Sequence, residues 1–308
     1  MRSSRVLGLA LALVLLGGCA GESNPPTPPT STPSSASSLP SPSAQFEAGQ
    51  IYLSLGDSYA TGYRPADSGA PAGPSREGFA HLVARQTGLE LVNLGCSGAT
   101  SDELLDASGC RPANRALDAP DVDGQSQLDA AVEFLRANQG RVGLVTLVIG
   151  GNDLTPCARD ADPLSCTSRA VEEIQGNLAN VLPALRAAAG DTPIVGLTYP
   201  DVFLGAWVSP AFSDGEELAR VSVPLFRNFF NTALATEYSK IDAEFVDVTA
   251  ATGAYEPLSD TTQDPTYGAI PSAVAQVCAL TFFCSHTDVH PTAAGHQVIA
   301  EAVLAAVG

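Results

Sequence analysis

The sequence predicts an α/β domain, a flavodoxin-like doubly wound sheet of five parallel strands. Three observations carry this. Short unbroken apolar runs, such as residues 51–55 and 142–149, have the length and hydrophobicity of strands buried on both faces. Longer segments with apolar residues at helical spacing alternate with them. Several runs end in glycine-rich or polar turns, which a parallel sheet gathers on one rim, where such folds bind ligands.

The first strand, 51–55, stops at Gly56 and delivers Asp57 and Ser58 to that rim. A Gly- and Pro-rich loop, 60–76, follows. Residues 78–87 carry Phe79, Leu82 and Val83 at helical spacing, with Gly88 as the stop. The second strand, 89–94, ends in the turn Gly95-Cys96-Ser97-Gly98. Residues 126–138 read as a helix capped by Ser126. The third and strongest strand, 142–149, runs into Gly150-Gly151-Asn152-Asp153. Residues 169–189 are helical in pattern, with Pro183 expected to kink or divide them. The fourth strand is 193–198. An apolar loop, 199–214, follows it, and a helix over 216–240 is interrupted near Pro224. A fifth strand, 244–248, precedes a long irregular stretch, 250–286, and residues 292–307 form the closing helix.

The chain opens with Arg2, Arg5 and an apolar run over 6–16, the pattern of a signal peptide (1–18) and too short for a permanent membrane span. The run ends Leu16-Gly17-Gly18-Cys19, which resembles a bacterial lipobox and implies lipid modification of Cys19 and a membrane partner through that anchor. Residues 19–45 are dominated by Pro, Ser and Thr and bury almost nothing, so they read as an extended tether. Residues 46–308 then form one catalytic-sized domain, expected to be monomeric and extracytoplasmic. A formal charge of −18 with a single lysine, Lys240, excludes a nucleic-acid surface. Apart from Cys19, six of the seven cysteines remain: Cys96, Cys110, Cys157, Cys166, Cys278 and Cys284. Fifteen pairings are open to six cysteines; in an exported chain, nearest-neighbour pairing into three local disulfides is the expectation. The spacing fits no zinc site.

Ser58 becomes chemically interesting only with a base, an orienting group and oxyanion donors beside it. His290, in Asp288-Val289-His290-Pro291 after the last strand, is the natural base. Gly95 permits close backbone approach, and Asn152 carries a neutral carboxamide donor. Other readings carry less. Gly95 and Gly98 turn the chain in any case. Ser97 sits in a near miss to the G-x-S-x-G elbow, with Ala99 where the last glycine belongs. His286, Asp288, His290 and His296 match no helix-borne metal motif, so no metal or cofactor is expected. His81 and His296 read as surface or packing residues, and Asp57 as a residue that steadies its turn.

Gly56-Asp57-Ser58, Asn93-Leu94-Gly95, Gly150-Gly151-Asn152-Asp153 and Asp288-Val289-His290-Pro291, in that order, resemble the four blocks of the SGNH hydrolases, the GDSL-type lipases and esterases. The three cysteine pairs are similar to those of the family's secreted bacterial branch. The resemblance implies Ser58 as nucleophile, His290 as base, and Ser58, Gly95 and Asn152 as oxyanion donors, acting on an ester of an acyl lipid or acylated glycan. One departure stands out: the family's acid lies three residues before the histidine, where this chain has Thr287, and Asp288 lies two before. Either Asp288 or a backbone carbonyl near it orients His290. Acyl transfer to a lipid or sugar, and a catalytically silent binding lipoprotein, are the alternatives to ester hydrolysis.

Overall fold

The computed structural model describes residues 46–47, 49–66 and 68–308; the segments read as a signal peptide (1–18) and a tether (19–45), with Cys19, lie outside them. In chain order the five strands of the main sheet are β1 (Ile51–Gly56), β2 (Glu90–Asn93), β3 (Val142–Val148), β4 (Ile194–Leu197) and β5 (Glu244–Val246). They are all parallel and ordered β2-β1-β3-β4-β5, the doubly wound arrangement expected from the sequence. β1 and β3 are buried at every position, as strands with helices on both faces must be.

The helices that cover or border the sheet are α1 (Ser58–Thr61), α2 (Phe79–Thr87), α3 (Gln127–Ala137), α4 (Gly151–Leu154), α5 (Pro163–Ala189), α6 (Gly215–Leu225) and α7 (Asn231–Ser239). After β5 come α8 (Val248–Ala251), a hairpin of β6 (Thr261–Asp264) and β7 (Gly268–Pro271), α9 (Ser272–Leu280), α10 (Phe283–His286) and α11 (Ala293–Val307). Among the described residues no helix is long and apolar enough to cross a membrane.

Three elements differ from the sequence reading. α5 runs through Pro183 unbroken; Leu178, Val181, Leu182 and Leu185 are buried there, and their packing outweighs the one lost backbone bond. The segment after Pro224 neither stops nor continues as an α-helix. It widens into a π-turn over Phe226–Phe230 before α7 resumes. The stretch read as irregular contains the β6–β7 hairpin and α9, whose polar or uniformly apolar patterns show no strand or helix period. The three disulfides are Cys96–Cys110, Cys157–Cys166 and Cys278–Cys284, each closing a local loop.

Candidate active site

The crevice opens where the strand order reverses, between β1 and β3. β1 ends at Gly56 with φ +130°, and a Cβ there would lie 2.0 Å from the Val148 carbonyl oxygen, so only glycine lets the two strands stay paired at the rim. Gln127 brackets the same residue: its Oε1 accepts the Gly56 N–H at 2.6 Å and its Nε2 donates to the Gly56 carbonyl at 3.1 Å. The chain then turns directly into α1. Asp57 is the cap, its Oδ1 accepting the Tyr59 N–H at 2.9 Å. Ser58 is the first helical residue and is buried. Its N–H belongs to the open first turn and has no intrahelical partner. Among the described residues its hydroxyl makes no hydrogen bond either.

β3 ends next to it. Gly150, at φ +110°, starts α4, which places Asn152 on the rim. Asn152 Nδ2 donates to the Ala99 carbonyl at 2.8 Å, which leaves its second amide hydrogen free. Asp153 anchors the same turn: its carboxylate accepts the Ser101 N–H and, at 2.5 Å, the Ser101 hydroxyl. The Cys96–Cys110 bridge and the Cys96 N–H, donating to the Gly56 carbonyl at 2.9 Å, tie this loop to β1.

The imidazole arrives from the far end of the chain. Residues 287–291 are slung between α10 and α11; the Phe282 N–H donates to the His290 carbonyl at 2.9 Å, and Thr292 caps α11. Asp288 Oδ1 accepts both the His290 backbone N–H, at 2.9 Å, and the Nδ1 hydrogen, at 2.7 Å. An ionised carboxylate only accepts, so Nδ1 carries the proton and Nε2 is left as the basic nitrogen. Burial alone would raise the Asp288 carboxyl, but the ring hydrogen bond, the His290 charge and the backbone N–H together hold it below the usual carboxylate range. The Tyr63 ring packs against the imidazole, tilted by 37° with centroids 4.4 Å apart.

Ser58, Asn152 and Val289 line one cleft, whose body is apolar: Tyr199, Val202, Phe203, Phe226 and Phe230. Part of the apolar loop after β4 thus faces the cleft, while its Phe212 stacks on Phe283. At the cleft's polar end Asp57 is almost fully buried. Burial pushes its carboxyl up to about 6, opposed by the Tyr199 hydroxyl, which donates to Oδ2 at 2.5 Å.

The comparisons agree with this fold. A family profile described as "GDSL-like Lipase/Acylhydrolase family" matches residues 54–298. The chain belongs to that family. Solved structures share its fold. The extracellular lipase of Streptomyces rimosus aligns over 83% of this chain and 99% of its own, at 20% identity and a TM-score of 0.54. The phospholipase A1 of Streptomyces albidoflavus NA297 aligns over 84% of this chain and 100% of its own, at 20% identity and a TM-score of 0.50. The lipase Lip_vut3 from a goat rumen metagenome aligns over 83% and 97%, at 18% identity and the same TM-score of 0.50. At these identities the likeness speaks for the shared fold. No curated protein matches the chain.

Against this GDSL-type frame, the structure brings Ser58, Asn152, Asp288 and His290 to one rim but corrects the expectation for Gly95. The Gly95 N–H is buried and donates to Asn93 Oδ1 at 2.9 Å, so it is not free for a substrate. This is an Asx turn, the ordinary habit of Asn two residues before a free N–H, and the Asn-Leu-Gly order signals it. Three residues on, Gly98 stands exposed at φ +88°, its N–H without a partner among the described residues, in the turn that Asn152 reaches through Ala99. The Ser97 hydroxyl is buried against Thr61 Oγ1 at 2.8 Å, a packing role. Among the described residues no group of three or more His, Cys, Asp or Glu is placed to hold a metal. Sequence reasoning missed Tyr63, Phe226 and Phe230: the two phenylalanines line the cleft from a π-turn, which the sequence pattern does not announce.

Proposed function

We propose that the protein is a serine esterase that hydrolyses carboxylic esters through an acyl-enzyme on Ser58. Ser58 and Asn152 line one apolar cleft with Val289, the neighbour of His290, whose ring is held by Asp288; this juxtaposition carries the reading. His290 Nε2 takes the Ser58 hydroxyl proton as Oγ bonds the ester carbonyl carbon. The carbonyl oxygen, now an oxyanion, is met by the Ser58 N–H, the Gly98 N–H and the free Asn152 Nδ2 hydrogen; one such donor contributes about 3–4 kcal/mol to the transition state. The protonated imidazole hands its proton to the departing alkoxide, and the alcohol leaves. Water then attacks the acyl carbon, its proton goes to Nε2, and the carboxylic acid leaves as Ser58 Oγ recovers the proton. Asp288 holds the ring and stabilises its positive charge throughout.

The aromatic and aliphatic lining favours an acyl chain over a charged substituent in the cleft. Three local disulfides suit an oxidising, extracytoplasmic location, and a lipid on Cys19 would tether the domain to a membrane surface. Hydrolysis of nitrophenyl esters across acyl lengths, with Ser58→Ala as control, tests the function. Labelling of Ser58 by a fluorophosphonate tests the nucleophile. Full activity in Ser58→Ala would end the proposal.

A further inference from the structure

We propose that the Tyr59 hydroxyl is a positioning group: by holding the Val289 carbonyl it sets the distance between the His290 imidazole and Ser58. The proposal rests on the reading of Ser58 and His290 as nucleophile and base. The Tyr59 hydroxyl donates to the Val289 carbonyl at 2.6 Å across 230 residues of sequence. The donor is the residue after the nucleophile, and the acceptor is the residue before the base. The bond therefore links the two halves of the reaction at one covalent step from each.

The loop that carries the imidazole needs such a strut. Its hydrogen bonds to α10 and to its own residues steady it from behind: the Thr287 N–H to Phe283, the Asp288 N–H to Phe282 at 3.5 Å, and the Asp288 carboxylate to His290. Thr287 sits in the left-handed region at φ 53°, unusual for a β-branched residue, and the Val289 side chain is 43% exposed. Among the hydrogen bonds of residues 287–290, the one from Tyr59 is the one that crosses to the helix bearing Ser58.

Tyr59 itself is held at both ends. Its N–H donates to Asp57 Oδ1, while Oδ2 of the same carboxylate accepts from Tyr199. The Tyr199 ring then stands edge-on to the Tyr59 ring, with centroids 4.9 Å apart and planes at 82°. One buried carboxylate thus fixes the backbone of Tyr59 directly and its ring through Tyr199. The phenol is buried, and burial keeps it protonated as a donor. A strut so fixed aims the imidazole from the nucleophile's own helix.

A misplacement of about 1 Å at a reacting group costs about 100-fold in rate. The Tyr63 ring, packed against the imidazole, would persist in Tyr59→Phe, so a partial loss is expected. The experiment compares wild type, Tyr59→Phe, His290→Ala and the double variant on nitrophenyl butyrate, with thermal midpoints for each. Expected are a fall in kcat of about tenfold for Tyr59→Phe, a KM within about twofold, and no further loss when Tyr59→Phe is added to His290→Ala. 4-Aminophenylalanine incorporated at Tyr59, which retains a donor at that place, should recover most of the rate even if the phenylalanine variant is poorly folded. A kcat loss under about threefold, a loss appearing in KM instead, an equal loss in the His290→Ala background, or no recovery with the amino analogue would each overturn the proposal. If Ser58→Ala still hydrolyses the ester, the parent reading falls first and the strut falls with it.

Discussion

Replacing Asp288 by asparagine changes little in shape and much in charge, which makes it the sharpest probe of the His290 contact. In the native site one carboxylate oxygen accepts from the backbone N–H at 2.9 Å and from Nδ1 at 2.7 Å. In Asp288→Asn the amide oxygen can still accept both, so the ring keeps its orientation and its tautomer. What disappears is the negative charge that faces the imidazolium during acyl transfer. Two unit charges about 4 Å apart interact by about 4 kcal/mol at an effective dielectric near 20. The Asp288 side chain is 25% exposed, so water screens part of this, and a neutral hydrogen bond of about 1 kcal/mol survives. The net loss is about 2–3 kcal/mol of transition-state stabilisation, or about 30- to 150-fold in kcat. His290→Ala removes the proton acceptor altogether and should cost about 10⁴-fold. Steady-state hydrolysis of nitrophenyl butyrate by the two variants, at matched pH and with circular dichroism to check folding, measures both. A loss in Asp288→Asn equal to that of His290→Ala would refute the argument, since charge alone could not account for it. A loss under about threefold would assign ring orientation to a backbone carbonyl instead.

Other consequences can be checked as directly. Asn152→Ala should lower kcat by about 100- to 1,000-fold with little change in KM, because its donor acts on charge that develops only in the transition state; a pure KM effect would contradict the donor role. His296 is buried, accepts the Phe79 N–H at Nδ1, and burial pushes its pKa down to about 3 from an ordinary 6.5. Between those values the unfolded chain takes up a proton that the folded one refuses, so stability is lost as the pH falls below about 6.5. Urea unfolding at pH 7.5 and 4.5 should show His296→Gln losing about 2–3 kcal/mol less than wild type over that interval; parallel losses would refute the assignment. The buried Asp57 and Asp201, raised to about 6 and about 7, act in the opposite sense, which is why the variant comparison is needed rather than the wild-type curve alone. Replacing Cys96 and Cys110 together by alanine opens a loop of sequence separation 14 and should cost about 3 kcal/mol of stability. Because that loop carries Gly98, kcat should fall more than KM rises; unchanged kcat would separate the loop from catalysis.

The sheet and its rim were legible because a parallel sheet is a strong constraint. Once 51–55 and 142–149 read as parallel buried strands, Ser58 and Asn152 fell on one rim; that β1 and β3 are neighbours in the sheet is seen only in the structure. What the sequence concealed was decided by competition between neighbours. Gly95 looked like a donor, but Asn93 reaches its N–H first, and Gly98 three residues later is the one left open. The Phe226–Phe230 turn follows Pro224, where the sequence marks only an interruption; that the chain widens there and sets two phenylalanines on the cleft is visible only in the structure. His296 reads as a surface or packing residue; the structure puts it on the buried side of α11, where it takes the first N–H of α2. Tyr59 is adjacent to the nucleophile in every reading of the sequence. Only the position of Val289, at the other end of the domain, reveals what its hydroxyl touches.

That partnership between the opening and the closing of the domain has a bearing on the protein's life before it is folded. Synthesis from the N-terminus releases the turn of Ser58 early and the imidazole of His290 late, with the bond from Tyr59 spanning 230 positions. Under the proposed function, a chain whose α11 has not yet docked would hold the Ser58 hydroxyl without the His290 imidazole and would be idle as an esterase.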